Sequence, residues 1–394
     1  MKLRHVALLL LCMSLVAAAQ ATVPTVKFQE GLIADKYGYA FAVMAADFDG
    51  DGDLDLSSGD TVNDVLYWFA NDGKGNFKRH IVQDKEAGWF ERHAIGDING
   101  DKFPDIAIVK NLHGHLVWFE NSGHPATDTQ WKRHVISTDM KRAYDVALVD
   151  LNGDGRLDAA ATAWVGNHLA WFVNPGPAGA GKEWKKEMID PELLESRAIR
   201  VGDFNGDKKP DLLSTGRAGN MTAWYEQGAA GQPWKRHVID GTSPTPVHGE
   251  PVDMDGDGDA DVVMALGFSG PVGPESHQIV WYENAGQPGQ GDTWKKHVIG
   301  GLPGAFEAVA GDLDGDKDLD VVATAWGTPG TVMWFENSGD PFKGWKPHVL
   351  KEKWERANQA IIADLDGDKR PDIAATAERG SNELRWWRNQ GPAK

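Results

Sequence analysis

Seven times along this chain a short apolar run such as DVVATAW or DIAATAE is followed by a second run ending in an aromatic pair: LYWFAN, LVWFEN, LAWFVN, TAWYEQ, IVWYEN, VMWFEN and LRWWRN. A third run, FKRHIV, WKRHVI, WKKEMI, WKRHVI, WKKHVI or WKPHVL, follows six of them across turns rich in Gly, Pro, Ser and Asn. Runs this short, bounded by turn residues and rich in β-branched and aromatic side chains, predict strands. An acidic loop precedes each first run, and another strand precedes that loop. Each period therefore holds strand A, the loop, strand B, strand C with its aromatic pair, a turn and strand D. Four antiparallel strands per repeat make a propeller blade. The first Asp residues of successive loops are 50, 53, 53, 50, 59 and 52 residues apart, a period of blades rather than of helical repeats.

Only six D strands stand in register with seven C strands. The last C strand, Trp386-Trp387-Arg388-Asn389, lies near the end of the chain, while TVKFQE (Thr25 to Glu30) resembles a D strand without a blade of its own. Pairing the two closes the ring and removes its exposed edges. The predicted fold is all-β: one seven-bladed β-propeller over residues 22–394, closed by an N-terminal strand that completes the last blade. The repeated aromatic side chains, and His80, His134, His237, His297 and His348 at one position of strand D, read as packing between flat blades.

The acidic loops carry the chemistry. DFDGDGDLD (Asp47 to Asp55) places carboxylates at positions 1, 3, 5 and 9, and the same spacing recurs six more times with only Asp or Asn at those positions. Side-chain oxygens, a carbonyl at position 7 and water would complete the six to eight hard ligands that Ca²⁺ requires, with glycine allowing so short a segment to wrap an ion. The expected ligands are Asp47, Asp49, Asp51, Asp53 and Asp55; Asp97, Asn99, Asp101 and Asp105; Asp150, Asn152, Asp154 and Asp158; Asp203, Asn205, Asp207 and Asp211; Asp253, Asp255, Asp257, Asp259 and Asp261; Asp312, Asp314, Asp316 and Asp320; Asp364, Asp366, Asp368 and Asp372. An EF-hand would need an acid at position 12 and flanking helices. Position 12 here is Ser58, Ile108, Ala161, Ser214, Met264, Ala323 or Ala375, so the loops join strands, and up to seven structural Ca²⁺ are expected.

Composition adds an address and excludes partners. Lys2 and Arg4, an apolar run from Val6 to Ala19 and the triplet Ala19-Gln20-Ala21 predict a secretory signal peptide over residues 1–21. The run is too short for a comfortable membrane span, and none follows. Cys12, the one cysteine, lies within that leader, so the mature protein is expected secreted or periplasmic without disulfides. The net charge of −18 becomes −20 once Lys2 and Arg4 are removed, which disfavours nucleic acid and anionic membranes. Of the 58 acidic residues, 25 stand at loop positions 1, 3, 5 and 9, so seven Ca²⁺ would leave a balance of about −6.

A DxDxDGxxD-type loop between two strands, seven times in register, resembles the FG-GAP and VCBS repeat proteins, including the propeller of integrin α subunits. The WFEN and WKRHVI landmarks look more like the bacterial VCBS branch and the propeller portion of aldos-2-ulose dehydratase. The resemblance covers nearly all of residues 22–394 and implies a calcium-stabilised propeller; the integrin likeness implies a protein partner as one option.

A ligand would meet the face opposite the acidic loops, where D–A and B–C turns emerge and vary on a rigid frame. Aligned on the loop Asp, strand A is entered there by Glu91, Arg92 and His93, by Tyr144 and Asp145, by Arg197, by His248 and Glu250, by Glu307, and by Asn358 and Gln359. Strand B ends there at Thr61, Asn111, Trp164, Arg217, Gly267, Trp326 and Glu378. Tryptophans among arginines, acids and histidines suit a sugar, whose C–H face stacks on indole while hydroxyls and carboxylate take directional bonds. Carbohydrate binding at this funnel is the first expectation. The first alternative is a polysaccharide lyase working by β-elimination, with His93, His248 or Tyr144 as base and Arg92 or Arg197 neutralising a uronate. An adhesion module binding protein is the second. His113 and His115 form an HxH pair in a B–C loop, which needs a third ligand to hold a transition metal.

Overall fold

The computed structural model describes residues 26–177, 181–228, 232–268, 276–286 and 290–392. The leader over residues 1–21, and Thr25 at the head of the closing strand, lie outside them. Seven four-stranded antiparallel sheets form the ring. Blade 1 runs through strands A to D as Ala40–Ala46, Asp55–Asp60, Val65–Asn71 and Phe77–Gln83. Strands A of neighbouring blades meet around the axis. Every B strand is buried along all six residues. That explains its unbroken apolar run, since such a strand is covered on both faces by the adjoining blades.

Blade 7 is completed by Val26–Ala34, which pairs antiparallel with strand C, Glu383–Pro392. Phe28 places its ring edge-on to Trp334 of blade 6 at 5.5 Å, so the closing strand also packs against its neighbour. Strand D is the outer edge of every blade. Val238, Val298 and Val349 stand half exposed there, flanked by Lys235, Lys295 and Lys346, and each of their C–D ladders carries a bulge. Both devices discourage pairing with another chain.

The aromatic pairs and strand-D histidines pack together. His80, His134, His237 and His297 stack on Trp68, Trp118, Trp224 and Trp281 at centroid distances of 3.9–4.7 Å. His348 tilts over Trp334 at 4.6 Å. In four blades the imidazole Nε2 also reaches the Glu of the strand-C motif, at 2.6–2.9 Å.

One further device fixes each loop within its blade, and a second holds blade to blade. The ninth residue of each loop is buried, and its Oδ2 accepts the backbone N–H of the loop's second residue in all seven copies. In six, Oδ1 accepts the backbone N–H of the Asn that ends the strand-C motif. In five of these blades the same Asn side chain then crosses to the previous blade. Asn71, Asn121, Asn174, Asn284 and Asn389 donate to the carbonyls of Leu365, Phe48, Ile98, Phe204 and Leu313 at 2.7–3.0 Å. Blade 4 carries Gln227 at that position.

Two measurements follow. A chain beginning at Tyr37 lacks the closing strand and exposes strand-C backbone, so it should melt well below the full chain and scatter light on standing; equal melting and clear solution would refute this closure. Asn121→Ala leaves the buried Phe48 carbonyl unpaired and should cost about 1–3 kcal/mol in urea denaturation. Gln227→Ala, in a blade without that clasp, should stay within about 0.5 kcal/mol of the parent.

Candidate functional site

The acidic loops occupy one face. The first Asp caps its own loop: Asp47 Oδ1 accepts from the N–H groups of Gly50 and Asp51 at 2.8 and 3.1 Å, and Oδ2 from Gly52 at 3.0 Å. Position 4 is glycine in every copy and left-handed, as at Gly50 with φ 77°; a Cβ at Gly50 would meet nothing within 4 Å, so conformation rather than space selects glycine in that loop. Four loops bring three carboxylates within 4.8 Å of one another: Asp47, Asp49 and Asp55; Asp253, Asp255 and Asp261; Asp312, Asp314 and Asp316; Asp364, Asp366 and Asp372. The other three carry Asn99, Asn152 and Asn205 at position 3, an uncharged oxygen in place of an acid. Asp49 Oδ1 is buried without a hydrogen-bond partner, and burial together with Asp51 and Asp47 pushes that carboxyl up. A hard divalent cation fits such a donor set. Among the described residues, no third His, Cys or carboxylate joins His113 and His115.

The opposite face is built by irregularity in the sheets. In six blades the A–B ladder slips near its first pair. The residues passed over include Glu91 and Arg92, Tyr144 and Asp145, Arg197, Phe306, and Asn358 and Gln359. A bulge bends the strand and re-aims its side chains, here toward the axis. The B–C and D–A turns are tied by one backbone bond per blade, from the residue ending strand B to the carbonyl of a D–A residue: Asn111 to Trp89, Trp164 to Arg142, Arg217 to Glu195, Trp326 to Gly304 and Glu378 to Arg356 among them.

Within the ring a cavity of about 430 Å³ is lined by Arg92, His93, Asp145, Arg200, Glu250, Glu307 and Gln359 at one end and by aliphatic side chains at the other. Arg92 and Glu307, both expected at a ligand, pair with each other across the channel. Arg200 reaches Asp145 at 2.7 Å and Glu307 at 3.4 Å, and these acids hold its guanidinium charged in spite of burial. Burial pushes Glu250 up to about 7. His93 is depressed to about 3 by burial and Arg92; its Nε2 lies 2.7 Å from Ser57 Oγ. His248 is held well below its ordinary range by burial and by Arg92, Arg200 and Arg197. The Tyr144 ring stacks on it, with Oη 3.3 Å from Nε2. Both imidazoles are therefore neutral near pH 7 and lie beneath the surface. Asn111 is also buried, donating to the Ala143 carbonyl at 2.8 Å.

Above them lies a crown of arginines on aromatic rings. The Arg197 guanidinium sits 4.3 Å from the Trp164 ring and 4.4 Å from that of Tyr144, and Arg142 lies 5.1 Å from Trp164. Glu195 accepts from Trp164 Nε1 at 3.0 Å and from Arg217 at 2.7 Å. Arg217 covers Phe268, whose ring meets Trp326 edge-on at 5.3 Å, and Arg356 covers Trp326 at 4.8 Å. Arg379 lies about 5 Å from both Tyr39 and Trp89. Trp89, Trp164, Trp326, Arg142, Arg217 and Arg356 are half-buried, and Arg379 is exposed. Tyr39, Trp89, Arg142, Glu195, Arg200, Phe268, Arg356 and Arg379 were not among the residues expected from the sequence. Trp89, Arg142, Glu195 and Arg356 share one visible signal, standing eight residues before the first Asp of a loop. All four have left-handed backbone, with φ between 49° and 63°, at the position where blade 6 has Gly304.

The model of the FG-GAP-like repeat matches residues 47–108, 97–161, 203–264, 253–323 and 312–375, each span running from the first Asp of one loop to the twelfth position of the next. No sequence among the curated proteins matches this chain. Among solved structures, virginiamycin B lyase from Staphylococcus aureus is similar over 92% of this chain and 98% of its own, with a TM-score of 0.59 at 12% identity. An Agrocybe aegerita lectin that recognises non-reducing terminal N-acetylglucosamine is similar over 81% of each chain, with a TM-score of 0.53 at 17% identity. BBS1N, solved in complex with ARL6DN, is similar over 91% of this chain and 95% of its own, with a TM-score of 0.56 at 13% identity. At these identities the likeness is one of fold.

Proposed function

We propose, for a chain that belongs to the FG-GAP-like repeat family, that the arginine–aromatic crown binds carbohydrate, with acidic sugars favoured, on a ring stiffened by Ca²⁺ in the loops of the opposite face. The observation that carries this reading is that the half-buried indoles of Trp89, Trp164 and Trp326 stand beside the guanidinium groups of Arg379, Arg142, Arg197 and Arg356 on one face. A non-glycine residue in the left-handed region costs about 1–3 kcal/mol, yet Trp89, Arg142, Glu195 and Arg356 all adopt it. Each of their side chains joins the crown, and half-exposed indoles beside guanidinium groups offer the apolar face and the charge that an acidic sugar takes up. The predicted leader would deliver the protein to the glycans of an exterior or periplasm.

The lyase alternative asks His93, His248 or Tyr144 to meet a sugar C–H, yet these are 3%, 0% and 4% exposed. Binding is the better-supported reading. A protein partner on the same face is the second reading, favoured by Val62, Leu112 and Val165, which stand 56%, 55% and 42% exposed on three successive B–C turns.

The test is a panel of acidic and neutral polysaccharides, followed by calorimetry and by the ultraviolet absorbance of unsaturated products. Trp164→Ala and Trp326→Ala should each weaken glycan affinity by about 1–3 kcal/mol through lost stacking area, with no absorbance developing. Binding that survives both substitutions would reject the crown as the site. For the loops, chelation should lower the melting temperature by many degrees and added Ca²⁺ should restore it. An unchanged melting curve with metal removal confirmed would reject a structural cation.

A further inference from the structure

The axial channel is shut at the crown end and open at the loop face. His248, Phe306 and Asn358 are buried at the crown end, where Arg92 lies 5.9 Å from the Phe306 ring and joins Glu307 across the channel. At the other end the cavity of about 430 Å³ reaches Ile95, Leu148, Val201 and Ile362, each two residues before the first Asp of its loop. Ile95, Leu148 and Ile362 are half-buried and Val201 is 37% exposed. A molecule arriving from the loop face therefore meets an aliphatic collar first and charge second.

Charge beyond the collar does not balance. Asp145, Glu250 and Glu307 face only Arg92 and Arg200 in the lining. Glu307 takes Arg92, and Arg200 divides between Asp145 at 2.7 Å and Glu307 at 3.4 Å. His93, the remaining titratable group there, is neutral near pH 7 because burial and Arg92 depress it. Glu250 is left over. Its Oε1 accepts the Ala310 backbone N–H at 2.7 Å, and among the described residues its Oε2 has no hydrogen-bond partner. Unlike Asp145 and Glu307 it is half-buried rather than buried, so the second oxygen is open to the cavity. The acidic loops that ring the mouth draw cations toward it.

We propose that the loop-face end of the channel binds a primary alkylammonium ion, the ammonium donating to Glu250 and the aliphatic stem lying in the collar of Ile95, Leu148, Val201 and Ile362. An ammonium brings three donors and one positive charge to a carboxylate with an unused oxygen. Its stem gains by leaving water for the collar, and the cavity has the volume of a small-molecule site. The site shares no residue with the crown, so it stands apart from the carbohydrate reading.

The measurement is calorimetric titration of the full protein with n-pentylamine, 1-pentanol and Nα-acetyl-lysine methylamide in buffer containing Ca²⁺. At about pH 8 an alkylammonium stays charged, while Glu250, which burial pushes up to about 7, is mostly ionised. Pentylamine should bind at least about tenfold tighter than pentanol, since the two differ in the charge-assisted bond. Glu250→Gln keeps an acceptor for the Ala310 N–H and should abolish that preference. Val201→Trp, at an exposed position, should narrow the mouth and weaken every probe. Binding of either amine supports the site, and the tighter of the two tells a free alkylamine from a lysine side chain. Equal affinity for amine and alcohol, a preference that survives Glu250→Gln, or binding of no probe overturns the site and leaves the crown untouched.

Discussion

The ring depends on a buried carboxylate that accepts two backbone N–H groups. An ionised acid in an apolar interior is costly, and only strong hydrogen bonds to its charged form offset the lost hydration. The ninth loop residue makes one such bond to its own loop and, in six blades, a second to strand C, fixing the loop against the sheet. In five of those blades the Asn that donates the second bond then presents its amide to the previous blade. The chain of dependence runs from loop to sheet to neighbour, so blade spacing follows from a few polar contacts as well as from the tryptophans between them. Burial also pushes these acids upward, Asp105 to about 7 and Asp320 to about 8, and a cation among the loop oxygens would draw them back toward the charged form that the two bonds need.

The two faces divide the work of the fold. On the loop face, seven nearly identical segments repeat the same bonds, and departures are few, with Gln227 in place of Asn among them. On the other face, equivalent positions hold Trp89, Arg142, Glu195, Gly304 and Arg356. Strained backbone persists only where surrounding structure over-determines it. Here the backbone bonds that tie each D–A turn to the next B–C turn do so. Regularity on one face permits variety on the other.

The fold was legible because its signals are local. Acid spacing within nine residues, strand periodicity and the count of C against D strands together imply a closed ring, and the strand beginning at Val26 pairs where that count places it. The site was legible only in part. Glu91, Tyr144 and Arg197 were found because an alignment on the loop Asp preserves their column, but what aims them inward is a slip in the A–B ladder, which leaves no mark in hydrophobic periodicity. Arg92 read as free to meet a ligand, whereas Glu307, its partner, stands 215 residues away. The strand-C Asn repeated in plain view, yet its acceptor lies in another blade, 294 residues distant for Asn71. Pairings set by ring closure cannot be read from spacing along the chain.

Charge is sorted by the same geometry. A chain of net charge −18 concentrates its acids in loops on one face and sets arginines over aromatic rings on the other. Whether the acidic face weakens attraction of an anion to the crown is a matter of distance. A seven-residue A strand such as Ala40–Ala46 spans about 23 Å at about 3.3 Å per residue, nearly three Debye lengths of about 8 Å at physiological ionic strength. The faces are therefore electrostatically almost independent, and charge neutralised in the loops changes the field at the crown very little. A cation bound in a loop would act on the crown mechanically instead, through the loop that fixes the blade, the blade that fixes strand A, and the bulge that aims Glu91, Tyr144 and Arg197 at the axis.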